Sequence, residues 1–158
     1  PATRRLARVH SPPARNSIAR ARARRAEGAR GGAGAGDFKL AAERFSEAMR
    51  LAPSNFIYPT NRSAALLKLD KLEGALEDAT LAANMNPQYA KAHWRKGQAL
   101  CALGRLDLAV EALEEALRLD EGHEGARTAL ENAKVRRRTL QQLQHLEDRY
   151  PPVESRLS

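Results

Sequence analysis

PQYAKAHWRKGQALCALGRLDLAVEALEEALRLD, residues 87–120, lies in register with PSNFIYPTNRSAALLKLDKLEGALEDATLAANMN, residues 53–86, and the offset is 34 residues. Pro53 and Pro87 open the two units. Ala41, Ala75 and Ala109 share one slot, and Ala48, Ala82 and Ala116 share another. Larger apolar side chains keep the same period: Phe38, Leu72 and Leu106; Phe45, Ala79 and Leu113; Leu51, Met85 and Leu119. Small and large apolar residues at fixed slots with this period mark stacked helical hairpins. One hairpin cannot bury its own apolar face, so neighbours stack and share a core. Such a scaffold binds other molecules and argues against an enzyme.

Within each unit the apolar spacing is that of amphipathic helices. Leu106, Ala109, Val110, Leu113, Ala116 and Leu117 follow the i, i+3, i+4, i+7 pattern. The pattern predicts helices near 38–51, 57–69, 72–85, 90–103, 106–119 and 123–147. Gly104 belongs in the turn between paired helices, where positive φ costs glycine little, and Asp70 and Lys71 hold the equivalent turn one unit earlier. A proline in the first turn tolerates helix poorly at the residue before it. Pro59 therefore allows the 57–69 helix to start as late as Pro59 itself, with Asn61 in its first turn. Residues 123–149 predict a helix that caps the array, a device that repeat arrays require. Arg136, Arg137 and Arg138 interrupt its apolar stripe and are expected to face solvent. Residues 150–158 read as a tail.

Upstream of Phe38 the pattern decays. Residues 21–36 should supply the first helix of a first hairpin, but Gly28, Gly31, Gly32 and Gly34 each cost about 1 kcal/mol against Ala in a helix interior. The anchoring slots there hold Arg25, Gly28 and Gly32. Residues 1–20 lack apolar periodicity and read as a disordered arm. The net charge of +8 resides at this end, where residues 1–30 hold nine arginines against Glu27 alone. Residues 31–158 carry equal numbers of basic and acidic side chains. An arginine-rich, acid-poor terminus fits an organelle transit peptide, a solvated basic tail, or nonspecific phosphate contact. The arm has no aromatic residue for stacking on bases. No apolar run approaches the length of a membrane span, and the single cysteine, Cys101, excludes an intrachain disulfide. A reducing compartment and a monomeric chain without cofactor are the natural expectation.

The first helix of each hairpin lines the concave face, so its polar residues decide what binds. Asn61 and Arg95 are 34 residues apart, at one slot on successive helices, and Lys91 stands one turn before Arg95. An amide, an ammonium and a guanidinium that converge suit a carboxylate: Arg grips it in a bidentate manner, Lys adds a mobile charge, Asn donates a fixed hydrogen bond. Spacing alone fits equally an ordinary solvated face with Asn61 capping a helix. Trp94 beside Arg95 reads either as a pocket wall for an apolar peptide side chain or as packing between hairpins. His93 falls at a core-facing slot. Neither Cys101 nor any other residue belongs to a defensible catalytic arrangement or metal cluster.

The segment from Gly36 to Leu119 resembles the tetratricopeptide repeat (TPR) family. Within it NRSAALLKL at 61–69, LEDA at 76–79 and YAKAHWRKGQAL at 89–100 are similar to the carboxylate-clamp co-chaperone subgroup, which includes the heat-shock organising protein. The resemblance implies an all-α, right-handed superhelical solenoid of three TPR hairpins over residues 21–122, closed by a capping helix. It implies a groove that binds the C-terminal Glu-Glu-Val-Asp tail of cytosolic heat-shock protein 70 or 90 chaperones. In the subgroup's pattern Asn61 matches the third-helix Asn, and Lys91 and Arg95 match the Lys-x-x-x-Arg pair of the fifth helix. The first-helix Lys and Asn fall instead at Ala26 and Arg30, or at Ala29, with Arg25 or Arg30 as substitute cations. A cytoplasmic peptide-binding adaptor follows, with a TPR scaffold for another partner and a nucleic-acid-associated adaptor as the alternatives.

Overall fold

Helices form where the 34-residue register places them. The computed structural model describes residues 35–150; the arm over 1–20, most of the glycine-rich segment over 21–36 with Arg25 and Arg30, and residues 151–158 lie outside the described residues. Among the described residues every regular element is an α-helix: α1 (Ala35–Leu51), α2 (Ile57–Lys68), α3 (Leu72–Met85), α4 (Ala90–Ala102), α5 (Leu106–Leu119) and α6 (Glu124–Arg149). Each bound falls within three residues of the spacing-based expectation.

The turns repeat with the sequence. Asn86 and Asp120 end α3 and α5 in extended conformation, at φ −142° and −145°. Each side-chain oxygen accepts a backbone N–H two residues on, from Gln88 at 3.1 Å and from Gly122 at 3.2 Å. These Asx turns reverse the chain into the next unit. Between paired helices, Gly104 takes φ 75° and Asp70 takes φ 58°. The Lys71 and Arg105 N–H groups then close matching bonds to Leu66 and Leu100 carbonyls at 2.9 Å. An L-residue in the left-handed region is strained, though less so for Asp than for most. Asp70→Gly is therefore expected to raise stability by about 0.5 kcal/mol. A thermal midpoint that falls instead would show that the Asp70 side chain compensates for its backbone.

The late start that Pro59 allows for α2 does not occur. The helix begins at Ile57, with Tyr58 helical and Pro59 in its first turn. Asn55 Oδ1 accepts the Ile57 N–H at 3.0 Å and takes the capping role. The missing N–H of Pro59 costs nothing there, because first-turn donors have no intrahelical acceptor. Asn61 consequently sits in the second turn and is half-buried.

Alanine builds the core. Ala75, Ala79, Ala82, Ala92, Ala99, Ala109, Ala116 and Ala126 are wholly inaccessible. Small side chains at these contacts let helix axes approach closely. Gly97 carries this furthest: a Cβ there would stand 2.5 Å from Cγ of Leu113, itself wholly buried. Ala109→Leu is expected to destabilise by about 1–3 kcal/mol through overpacking. An unchanged urea midpoint would contradict the register.

Polar pins join the helices. Arg62 on α2 donates from Nε and Nη2 to the two carboxylate oxygens of Asp78 on α3, both at 2.6 Å. Its Nη1 reaches Ser46 Oγ on α1 at 2.9 Å, and Ser46 donates in turn to the Ala42 carbonyl. Ser63 Oγ donates to the Ala75 carbonyl at 2.8 Å inside the α2–α3 hairpin.

Candidate functional site

The order of helix contacts fixes which face is concave. Sequence neighbours pack along the whole chain, and in addition α2 touches α4 and α4 touches α6 directly. No comparably extensive contact joins α1 to α3 or α3 to α5. Helices α2, α4 and α6 thus form the crowded inner row, and the others splay outside. Lys91, Trp94 and Arg95 lie within two turns of α4, and Asn61 occupies the slot of Arg95 on the adjacent α2. All four are half-buried. Arg30, the further cation of the expected site, lies outside the described residues.

Arg95 is in an unusual state for an arginine. Its guanidinium carbon stands 4.1 Å from the centroid of the Trp94 ring, and Nη1 donates to Gln98 Oε1 at 2.8 Å. Its Nε is buried without a hydrogen-bond partner, as is Trp94 Nε1. Burial pushes the Arg95 pKa below the ordinary arginine value, with Tyr89 opposing this weakly. Guanidinium groups are normally desolvated only beside an anion. Among the described residues no carboxylate forms a salt bridge with Arg95, in contrast to Arg62, whose pKa the Asp78 hydrogen bonds raise. An external carboxylate would relieve the cost of that burial.

Trp94 packs against a cluster formed by Val110, Leu113, Ala116, Ala126, Leu130 and Ala133. Its ring meets the His123 imidazole at 4.6 Å between centroids, tilted by 52°. His123 precedes α6 as its N-cap, and Nδ1 accepts the Ala126 N–H at 3.1 Å. Gly125 leaves room for the indole: a Cβ there would lie 2.8 Å from Trp94 Cζ2.

One expectation is overturned nearby. His93 does not face the core. It lines a cavity of about 420 Å³ together with Leu76, Thr80, Lys96, Leu108 and Glu115, and Nε2 is 2.9 Å from the Pro87 carbonyl oxygen. Most of that lining comes from α3 and α5, which belong to the outer row. On α6, Arg136 and Arg138 are exposed, as expected, and Arg137 is half-buried; Arg136 nonetheless donates to the Cys101 carbonyl at 3.1 Å and Arg137 to Asp107 at 3.3 Å. Both fasten the capping helix to the last hairpin. Cys101 is half-buried, and desolvation raises its pKa above the ordinary thiol value, the opposite of an activated nucleophile. Among the described residues no cluster of three or more His, Cys, Asp or Glu could hold a metal ion. None of the described helices is long and apolar enough to cross a membrane.

Gln98 and Gly125 carry no register signal for this site; His123 stands 34 residues after Tyr89, each the N-cap of an inner-row helix, but the register does not show its contact with Trp94. Arg62 and Asp78 pair across 16 residues, a separation that carries no periodic signal.

Comparison with known proteins places this geometry. Residues 90–123 match the family described as tetratricopeptide repeat. The Hsp70-Hsp90 organizing protein of Triticum aestivum is 41% identical over 100 residues, which make up 63% of this chain and 17% of that protein. The second TPR domain of human RPAP3, solved in complex with HSP70 peptide SGPTIEEVD, superposes with a TM-score of 0.67 at 31% identity. That alignment covers 75% of this chain and 98% of the RPAP3 domain. The TPR2AB domain of yeast Sti1, solved as a pHSP90 complex, gives a TM-score of 0.65 at 26% identity over 75% of this chain and 50% of that one.

Proposed function

This chain belongs to the tetratricopeptide repeat family, and from that premise we propose a non-enzymatic co-chaperone adaptor whose concave groove binds the acidic C-terminal tail of heat-shock protein 70 or 90 chaperones. The observation that carries the reading is Arg95, a desolvated guanidinium in the inner row with no carboxylate partner among the described residues. A peptide ending in Asp presents two carboxylates, one on the side chain and one at the chain end. Arg95 and Lys91, a turn apart on α4, grip them, and Asn61 on α2 orients the peptide main chain. Trp94 forms the platform under Arg95. Arg30 enters the proposal as a further cation. The compartment that suits such chaperones is the cytoplasm.

Relatives bearing these ligands in their names support the reading. The human RPAP3 domain was solved with a peptide ending in Glu-Glu-Val-Asp, and the wheat relative carries both chaperones in its name. The test is a titration with a free-acid Glu-Glu-Val-Asp peptide and its C-terminally amidated twin. One lost charge-assisted contact is worth roughly 1.5–3 kcal/mol, so the free acid is expected to bind about ten- to a hundred-fold more tightly. Equal affinities would overturn the carboxylate assignment and leave a TPR scaffold for another protein partner.

A further inference from the structure

We propose that His123 and Gly125, at the start of the capping helix, are positioning residues for the Arg95 guanidinium and act on it through Trp94. The inference rests on the reading of Arg95 as the side chain that grips the peptide carboxylate. It extends the binding machinery from the groove helices to α6, whose ordinary task is to close the array.

Three contacts meet on one indole. The Arg95 guanidinium carbon lies 4.1 Å from the ring centroid and the His123 ring lies 4.6 Å from it. Gly125 holds open the space that the six-membered ring of Trp94 fills, since a Cβ would come within 2.8 Å of Cζ2 and 3.1 Å of Cε2. The His123 ring is itself fixed, because Nδ1 accepts the Ala126 N–H at the first turn of α6. A locked imidazole therefore sets the attitude of the indole, and the indole sets where the cation rests. Arg95 depends on this support more than most arginines would. Its Nε is buried without a partner, and the bond to Gln98 holds only Nη1. Removing the imidazole opens space beside the indole. The ring then relaxes toward α6 and the guanidinium loses its platform.

Two properties of His123 can be separated by substitution. His123→Asn keeps a side-chain acceptor for the Ala126 N–H, since Asn is a favoured N-cap, but removes the ring. His123→Phe keeps a ring against Trp94 and removes the cap. Gly125→Ala keeps both and displaces the indole. The readouts are the thermal midpoint, the Arg95 Nε–H resonance of the peptide-free protein, and the preference for free-acid over amidated Glu-Glu-Val-Asp peptide. The resonance reports directly on the ring current of Trp94, the only tryptophan in the chain.

His123→Asn is expected to melt close to the wild type, to move the Arg95 resonance toward that of an exposed arginine, and to lower the acid preference about three- to ten-fold. Gly125→Ala is expected to move the resonance and the preference in the same direction. His123→Phe is expected to lower the thermal midpoint while both Arg95 readouts stay near wild type. Should His123→Asn and Gly125→Ala leave the resonance in place, the positioning role is overturned whatever the peptide does. Equal loss of the Arg95 readouts in His123→Phe would likewise overturn it, assigning the effect to the cap. A wild type without acid preference, whose Arg95 resonance still moves in the two variants, would sustain the positioning role and remove only the assigned ligand.

Discussion

Arg95→Ala is expected to weaken binding of a free-acid Glu-Glu-Val-Asp peptide by about ten- to a hundred-fold, the worth of a hydrogen-bonded contact to a charged group. The loss should be largest with the free acid and smaller with the amide, which leaves the last residue only its side-chain carboxylate. Stability is expected to respond differently. Burial lowers the Arg95 pKa, so its charged form is held at a cost in the folded state and contributes no stability through charge. The truncation forfeits some stacking on Trp94 and removes that cost together, leaving the thermal midpoint close to wild type. Lys91→Ala should weaken free-acid binding comparably, and the double variant should lose less than the sum, since both residues grip one anionic terminus. Arg118→Ala is the control. Arg118 pairs with Glu115 on the exposed side of α5 at 2.6 Å, away from the inner row, and its loss should leave affinity unchanged. Full additivity of Lys91→Ala and Arg95→Ala would indicate that the two residues hold separate groups.

The parts of this molecule legible in its sequence are those that repeat. Ala75 and Ala109, or Asn86 and Asp120, occupy equivalent places because each unit solves the same packing and turn problems. The shared slot of Asn61 and Arg95 on α2 and α4 is legible for the same reason. What the period does not show is which side chains meet across a junction. His123 and Gly125 belong to the junction with α6, whose Asx turn and N-cap repeat those of the α3–α4 junction, where Tyr89 holds the place of His123, but their contact with Trp94 exists only once α6 packs on α4. The start of α2 at Ile57 follows the apolar spacing and not the late start that Pro59 allows, because the side-chain oxygen of Asn55 accepts the Ile57 N–H. Arg136 is exposed as its place in the stripe predicts, yet its side chain spans to a neighbouring helix's carbonyl, that of Cys101, which also accepts the Gly104 N–H.

The second large effect is expected at Arg62, which touches no proposed ligand. Asp78 is almost wholly buried, with a side chain 5% exposed, whereas the Arg62 side chain is 26% exposed. The pair is therefore asymmetric. Arg62→Ala strands a carboxylate in the interior of the α2–α3 hairpin, and it also takes the Nη1 donor away from Ser46 on α1. Breaking a buried pair in this way costs about 3–5 kcal/mol, and the partial exposure of Arg62 brings the expectation toward 2–4 kcal/mol. Asp78→Ala leaves behind a flexible arginine that can turn to solvent, so it should cost only about 1–2 kcal/mol. Replacing both residues with apolar side chains of similar volume should recover much of the loss, since a well-packed apolar pair often matches a buried ion pair. Urea midpoints of the three variants measure the order directly. Arg62→Ala as mild as Asp78→Ala would mean that water reaches Asp78 once the guanidinium is gone. In the expected order, the adjacent Asn61 loses its fixed place on α2 as the hairpin loosens. Arg62→Ala should then weaken peptide binding alongside stability, while Arg95→Ala weakens binding alone, so the two variants divide the scaffold's contribution from the grip itself.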